Sequence, residues 1–367
     1  MQEISKINKP KKAKRILVAP LDWGLGHATR CIPIIRKLSE HGFEVIIAAE
    51  TGVAVLLAAE FPNLTMVDLQ GYRVRYSRKA SSFGINILWQ LPRLLRCIRR
   101  ERKWLQEVAN QYEIDGVISD NRFGLSHKNL PTAFITHQLA PQTGFHFLNS
   151  LARKINYHYI NRFDVCWVPD RQTEPHYSGA LAHPHSMPAI PVRYLGVLSR
   201  LNPSVIEKRY DLCVLISGPE PQRIILENQL INALQHTDLY VVMVRGLPGA
   251  TAKPIANASN LTIHNHLPAE ALNRILNESA IVLSRTGYTT VMDLAVLGRK
   301  AILIPTPGQP EQLHIGSHLK NNPQFVIASQ NNFDLQLALQ TLAERNYHPQ
   351  PIDSWDDSVV LDWANAL

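Results

Sequence analysis

The residues best placed to do chemistry in this chain begin with a histidine in a glycine-rich turn. The strand-like run R-I-L-V-A-P leads into D-W-G-L-G-H-A-T-R. Gly24 and Gly26 would let the backbone approach a ligand, and the start of the helix that follows would offer unpaired N–H groups to an anion. His27 would then sit at the carboxyl end of a strand, where open α/β sheets bind ligands, with the side chain of a general base. Asp120 follows the apolar run G-V-I-S and would reach the same edge, fixing the imidazole tautomer and stabilising the imidazolium formed on proton transfer. A plainer pair of roles is also open: His27 capping its helix, and Asp120 capping a turn with Asn121. His137 and Gln138 follow T-A-F-I-T and arrive at that edge as well, as candidates for contacting an acceptor or the group transferred.

A second constellation lies in the other half of the chain. Ser284 to Gly287 ends a strand and opens a helix, so Thr286, Gly287 and Tyr288 would present backbone donors and hydroxyls where a diphosphate could sit. Asp293 falls in the first two turns of that helix, where a carboxylate can accept from both hydroxyls of a ribose. The buried strand A-I-L-I-P then feeds P-T-P-G-Q-P-E-Q, a loop stiffened by three prolines, from which Glu311 and Gln312 emerge as groups suited to sugar hydroxyls. Ser217, Gly218 and Glu220 form a further loop after a strand.

These loops need a frame that brings strand ends together, and the element order supplies one. Strands are expected at 15–20, 43–49, 64–67, 116–119 and 132–136. Helices are expected at 28–41, 51–60 and 84–109, the last broken near Pro92. The pattern restarts with strands at 210–217, 239–244, 261–264, 280–284 and 301–305 and helices at 222–235, 270–277 and 289–298. Strand and helix in alternation mean parallel sheets wrapped by helices, so the fold class is α/β with two doubly wound, Rossmann-like domains. A Pro- and His-rich stretch at 180–195 would link them. The division expected is a basic tail at 1–14, an N-terminal domain at 15–190, a C-terminal domain at 191–345 and a last segment, 346–367, packing back on the first domain.

Bulk properties agree. The chain has 367 residues, 45% of them hydrophobic and 19% charged, with a formal net charge of +8, which suits a globular protein of two domains. Four cysteines stand far apart with no C-x-x-C pair, an argument against a cysteine zinc site or a disulfide framework and for a reducing, cytoplasmic compartment. No signal peptide or membrane-spanning run is visible. Between Ile85 and Leu105 arginines alternate with large apolar residues. That stretch reads either as an interfacial amphipathic element for a peripheral membrane contact, or as a helix packed on the sheet with its arginines in solvent. Nucleic acid is not an expected partner, because no basic and aromatic platform accompanies the charge.

The second constellation resembles the GT-B glycosyltransferases, in particular the MurG-like type of glycosyltransferase family 28. That type has an R-S-G-x-x-T-x-x-E stretch, a strand, and a proline loop ending in D/Q-Q. Here the matching residues are Arg285, Thr286, Gly287, Thr290 and Asp293, then Glu311 and Gln312. The resemblance implies a GT-B fold with an interdomain cleft, and a nucleotide-sugar donor, UDP favoured, as co-substrate with no separate cofactor and no metal. It implies that Asp293 holds the ribose, that Glu311 and Gln312 hold the donor sugar, that Leu267 lies where backbone meets the uracil, and that the loop at 217–220 stands at the diphosphate. It also implies that His27 is the base oriented by Asp120, and an acceptor that is lipid-linked or of the cell envelope. The chain departs from the pattern in four places: Asp293 for the usual Glu, Ile315-Gly316 for Asn-Ala, Asp22-Trp23 for Gly and Thr, and Pro219 and Pro221 in the diphosphate loop.

The reading that follows is inverting, metal-independent transfer of a hexose or N-acetylhexosamine. G-L-G-H-A-T-R-C also resembles the G-x-G-H-x-x-R-C of a GT-B-like sugar-nucleotide hydrolase, in which the same histidine would activate water. A GT-B-type 2-epimerase and a non-catalytic sugar-nucleotide-binding protein are weaker alternatives: the first lacks its carboxylate-rich site here, and the second does not account for His27 together with Asp293.

Overall fold

A computed structural model describes residues 12–72, 83–143, 146–218, 220–247, 249–250, 260–349, 352 and 355–367, with the backbone alone at 51, 83–91 and 146–147. Most of the basic tail, the arginines at 73, 75 and 78, Pro219, and the side chains at 83–91 of the stretch that begins at Ile85 lie outside the described residues.

The first sheet has seven parallel strands in the order β3-β2-β1-β4-β5-β6-β7. They are β1 (Arg15–Pro20), β2 (Glu44–Ala49), β3 (Thr65–Asp68), β4 (Gly116–Asp120), β5 (Thr132–Ile135), β6 (Val165–Val168) and β7 (Val192–Tyr194). The central strands β1, β4 and β5 are buried along almost their whole length because both faces of the sheet are covered. In β1, Ile16 and Val18 join the core under α1 (Leu25–Glu40), α2 (Thr51–Glu60) and α10 (Ser358–Asn365), while Leu17 and Ala19 join the core under α3 (Phe83–Gln111).

The second sheet has six parallel strands, ordered β10-β9-β8-β11-β12-β13. These are β8 (Tyr210–Leu215), β9 (Val241–Val244), β10 (Leu261–His264), β11 (Ser279–Arg285), β12 (Ala301–Ile304) and β13 (Phe325–Ile327). Helices α5 (Gln222–Leu234) and α9 (Leu335–Ala343) contribute to one core. Helices α6 (Ala269–Glu278), α7 (Tyr288–Leu297) and α8 (Pro310–Leu319) contribute to the other. Helix α4 (His146–Ile160) belongs to the first half of the chain.

In each sheet the strand order reverses once, between β1 and β4 and between β8 and β11. Such a reversal opens a crevice outside the carboxyl ends of the strands, because the connections leave in opposite directions. Register pairs Pro20 with Asp120 and Asp120 with Ile135, so these strand ends are level.

Three expectations need correction. Helix α3 is not broken at Pro92 but runs through it for 29 residues. The proline removes one ladder bond, and the burial of Ile98, Leu105, Val108 and Ala109 against the sheet offsets that loss. The stretch at 180–195 is not only a link, for β7 within it pairs in parallel with β6, and the first sheet therefore extends past residue 190. Lys12 and Lys14, expected in a frayed tail, form ion pairs with Glu113 and Asp115.

Candidate functional site

The crevice of the first sheet collects His27, Asp120 and His137, together with an arginine that the sequence reading passed over. His27 lies in the first turn of α1, and its Nδ1 is 2.9 Å from Asp120 Oδ2. Asp120, fully buried, accepts from Arg30 Nε at 2.9 Å and from Arg30 Nη2. An imidazole lone pair would be repelled by that carboxylate, so Nδ1 carries the hydrogen donated to Asp120 and the lone pair remains on Nε2. Arg30 Nη2, 2.8 Å from His27 Nδ1, gives its hydrogen to Asp120 instead. Burial raises the Asp120 carboxyl, but the charge of Arg30 and then His27 outweigh it, and its pKa lies below the ordinary carboxylate value. Capping a turn is therefore not what Asp120 does. Arg30 stands three positions after His27 on one helix face, a spacing that could have revealed it.

Arg30 also reaches His137. Its Nη1 is 2.8 Å from His137 Nδ1, and since a guanidinium only donates, Nδ1 accepts. His137 Nε2 therefore carries the hydrogen and donates to Glu311 Oε1 at 2.8 Å, across the cleft between the sheets. Burial holds the His137 imidazole below its usual value, in keeping with a neutral ring. Gln138 Nε2 donates to the other Glu311 oxygen at 2.7 Å. Burial raises the Glu311 carboxyl, yet the adjoining His137, electrostatically and through its hydrogen bond, and then His27 and Arg30 bring it below its ordinary value. The structure thus brings Glu311 to the acceptor-side residues. Each of its oxygens keeps a second lone pair with which it could meet a sugar hydroxyl.

The glycine turn serves packing as much as access. Gly24 has φ +77° and is the N-cap of α1, which favours glycine. At Gly26 a Cβ would stand 3.1 Å from Thr289 Oγ1, and that hydroxyl donates to the Gly26 carbonyl. Gly26 is what lets α7 approach α1 across the domain boundary.

The residues expected at the donor are distributed as follows. Arg285, at the end of β11, is wholly buried, donates to Gln330 Oε1 at 2.6 Å and to the Gln222 carbonyl at 2.7 Å, and braces the loop entering α5. Burial lowers its guanidinium pKa to about 10. Thr286 is also fully buried, and its Oγ1 has no partner among the described residues. Gly287 caps α7. Tyr288 is engaged between the domains: its ring stacks on His137 at 3.8 Å and its hydroxyl donates to the Pro169 carbonyl. Thr290 is half-buried. Asp293 accepts from Ser199 Oγ at 2.5 Å, and burial, partly offset by Arg200, pushes its pKa up to about 6. Gln312 accepts from the Thr306 backbone N–H at 2.8 Å, bracing the proline loop. Ser217 and Gly218 follow β8, with Gly218 at φ +107°. Glu220 caps α5, accepting from Ile224 N at 3.2 Å and Arg223 Nε at 2.5 Å. Leu267 packs on the core of the second domain. Nothing in the sequence marked Ser199 or Arg200.

Residues 222–349 match the glycosyltransferase family 28 C-terminal domain. Nearly all of the chain superposes on solved GT-B-type structures. MurG of Acinetobacter baumannii aligns with a TM-score of 0.55 at 15% identity over 97% of this chain and 100% of that one. The glycosyltransferase SnogD from Streptomyces nogalater gives 0.59 at 16% over 97% and 94%. SsfS6 of Streptomyces sp. SF2575, solved with thymidine diphosphate, gives 0.57 at 16% over 96% and 94%. No curated protein sequence matches the chain. At these identities the superpositions speak to the fold.

Proposed function

We propose that this glycosyltransferase, GT-B in fold and carrying a family 28 C-terminal domain, transfers a hexose or N-acetylhexosamine from a nucleoside-diphosphate sugar, with UDP the favoured nucleotide, to an acceptor hydroxyl. The observation that carries the reading is the pair of facing crevices. His27, oriented by Asp120, lies at the reversal of one sheet, and the loops bearing Thr286 and Glu311 belong to the other.

In this mechanism His27 Nε2 accepts the proton of the acceptor hydroxyl, and Asp120 stabilises the imidazolium. The hydroxyl oxygen attacks the anomeric carbon from the face opposite the leaving group, so configuration inverts. The nucleoside diphosphate departs with the bonding pair, its charge met by the N–H groups at the start of α7 and by the backbone at Ser217 and Gly218, a route that needs no metal. Glu311 and Gln312 face the sugar.

A panel of UDP, GDP, dTDP and CMP in thermal-shift measurements tests the donor assignment. The matching nucleotide at a hundredfold excess over its Kd should stabilise the fold by about 2.7 kcal/mol. dTDP belongs in the panel because SsfS6 was solved with thymidine diphosphate. No response to any of the four would remove the reading.

One observation favours a hydrolase of nucleotide sugars as the second reading: Arg30 and Cys31, which complete G-L-G-H-A-T-R-C, both reach Asp120, Cys31 Sγ at 3.9 Å. Release of free sugar without acceptor, as fast as any transfer, would select it.

A peripheral contact with an anionic membrane belongs to the main proposal, in line with an acceptor of the cell envelope. Its support is the exposed row Arg93, Arg96 and Arg99 on α3. The buried face of the helix packs on the sheet, and no helix among the described residues is long and apolar enough to span a membrane. Flotation with anionic liposomes that leaves the protein unbound would remove this part.

A further inference from the structure

A second cluster of titratable groups lies away from His27, on the segment that follows β6. Asp170, His176 and His183 each place one potential ligand atom within 4.8 Å of the other two. His183 Nε2 is 3.7 Å from Asp170 Oδ2. That is too long for a hydrogen bond, but close to the separation of about 3.4 Å between two ligands of one tetrahedral ion with bonds near 2.1 Å. His176 Nδ1 and His183 Nε2 are both buried without a hydrogen-bond partner among the described residues. Two orphaned ring nitrogens beside one buried carboxylate are costly unless something satisfies them together.

The surroundings are those of a metal ligand set. Asp170 is fully buried and fixed by the backbone N–H groups of Arg171 at 2.8 Å, Ser178 at 2.9 Å and, more distantly, Tyr177 at 3.2 Å, and by the Ser178 hydroxyl, so an ion would take the place of one of these bonds. His176 turns its other nitrogen, Nε2, to Glu174 Oε1 at 2.9 Å. A carboxylate accepting from the far nitrogen of a histidine fixes the tautomer that leaves Nδ1 free to bind a metal. The rings of His176 and His183 stack at 3.9 Å, so one of them turns about its Cβ–Cγ bond when both lone pairs converge on an ion, and His318 of α8 lies against His176, donating from Nε2 to its backbone carbonyl at 2.9 Å. The cluster therefore joins the first domain to the helix that begins with the Glu311 and Gln312 loop.

We propose that Asp170, His176 and His183 bind one late divalent transition-metal ion, Zn²⁺ being the best match to two imidazoles and a carboxylate, and that the ion fixes the segment after β6, on which the last turn of α8 rests through His318. It is a structural site, separate from the transfer chemistry, and stands whether or not the donor assignment holds.

The test uses full-length protein stripped with a chelator and then titrated with Zn²⁺ alone by calorimetry, with Co²⁺ as a spectroscopic stand-in. The expected result is one equivalent bound, a rise in Tm, and visible Co²⁺ bands of a tetrahedral nitrogen and oxygen set. His176→Ala and His183→Ala should each weaken binding by more than about tenfold, whereas His236→Ala, at an exposed histidine elsewhere, should bind as the parent does. Circular dichroism of each variant without metal establishes that it is folded. Absence of stoichiometric binding, or equal binding by folded His176→Ala and His183→Ala variants, would overturn the site.

Discussion

The two sheet edges that face each other across the cleft are completed to different degrees. On the first, Arg30 and Asp120 spend their polar atoms on each other, on His27 and on His137, and His137 reaches on to Glu311 of the second, so the group is hydrogen-bonded throughout before any ligand arrives. On the second, Thr286 Oγ1, Thr306 Oγ1 and Arg285 Nε are buried without a partner among the described residues, and Asp293 is held by one short bond from Ser199. The difference follows from the tasks proposed. Proton transfer gains from groups oriented in advance, because no reorganisation is then needed at the moment of reaction. Recognition of a polar ligand requires protein atoms whose partners are supplied by that ligand.

The sharpest way to break this comparison is His27→Ala. The turnover number should fall by about two to four orders of magnitude, as loss of a general base does, while nucleotide affinity, read by calorimetry, stays within about twofold. An unchanged rate would leave the first edge without its proposed task. Next in size is Arg30→Met, which strands the Asp120 carboxylate in a dry site. Breaking a buried ion pair costs about 3–5 kcal/mol, so denaturant unfolding should show a loss of that order. A loss near zero would show that the first edge is not held together by this arginine.

Asp293 gives a prediction with a pH signature. Its folded-state pKa of about 6 lies above the value of 3.8 for an unperturbed aspartate. The folded state therefore holds the proton more tightly, and this contribution to stability is fully present below about pH 4 and is lost as pH rises through about 6. Asp293→Asn, which cannot ionise, should raise the Tm relative to the parent at pH 8 and do so far less at pH 4.5. The gap corresponds to about 2–3 kcal/mol from a shift of about two units. A gap independent of pH would mean that Asp293 carries no such penalty. The smallest effect is expected from Thr286→Val, which keeps the shape and removes the unpaired hydroxyl. The free protein should be as stable as the parent or slightly more so, and nucleotide binding should weaken by about 1 kcal/mol if that hydroxyl meets the donor. Loss of stability instead would mean that the hydroxyl already has a structural use.

Much of the frame was legible because parallel strands buried on both faces read as short apolar runs, and the positions of His27 and Asp120 followed from the strand ends. Their hydrogen bond was legible as well, since two level strand ends at one reversal bring side chains together. The remainder depends on which way side chains point across long sequence separations. Nothing local to Glu311 indicates that it meets His137 and Gln138, and nothing near Asp293 points to Ser199. Strands β6, β7 and β13 and helices α4, α8, α9 and α10 were not anticipated; β7 and β13 have three residues each at a sheet border and carry little periodicity. The continuity of α3 through Pro92 was set by tertiary burial against a local rule. The sequence suggested Gly26 for the approach of a ligand, whereas the neighbour that a Cβ would crowd there is Thr289.

Helix α10 has a consequence for how the halves of this enzyme can move. After α9 the chain returns to the first domain, where Val360 and Ala364 enter the core, Trp363 meets Trp167 edge-on at 5.5 Å, and Asp356 N donates to the Leu195 carbonyl at 2.7 Å. The polypeptide therefore passes from one domain to the other twice, close to the same place. A body hung from two adjacent straps swings about the line that joins them and resists twisting about any other. Any opening of the cleft has to bend at both crossings, so α10 acts as a second tether beside the one at Leu195.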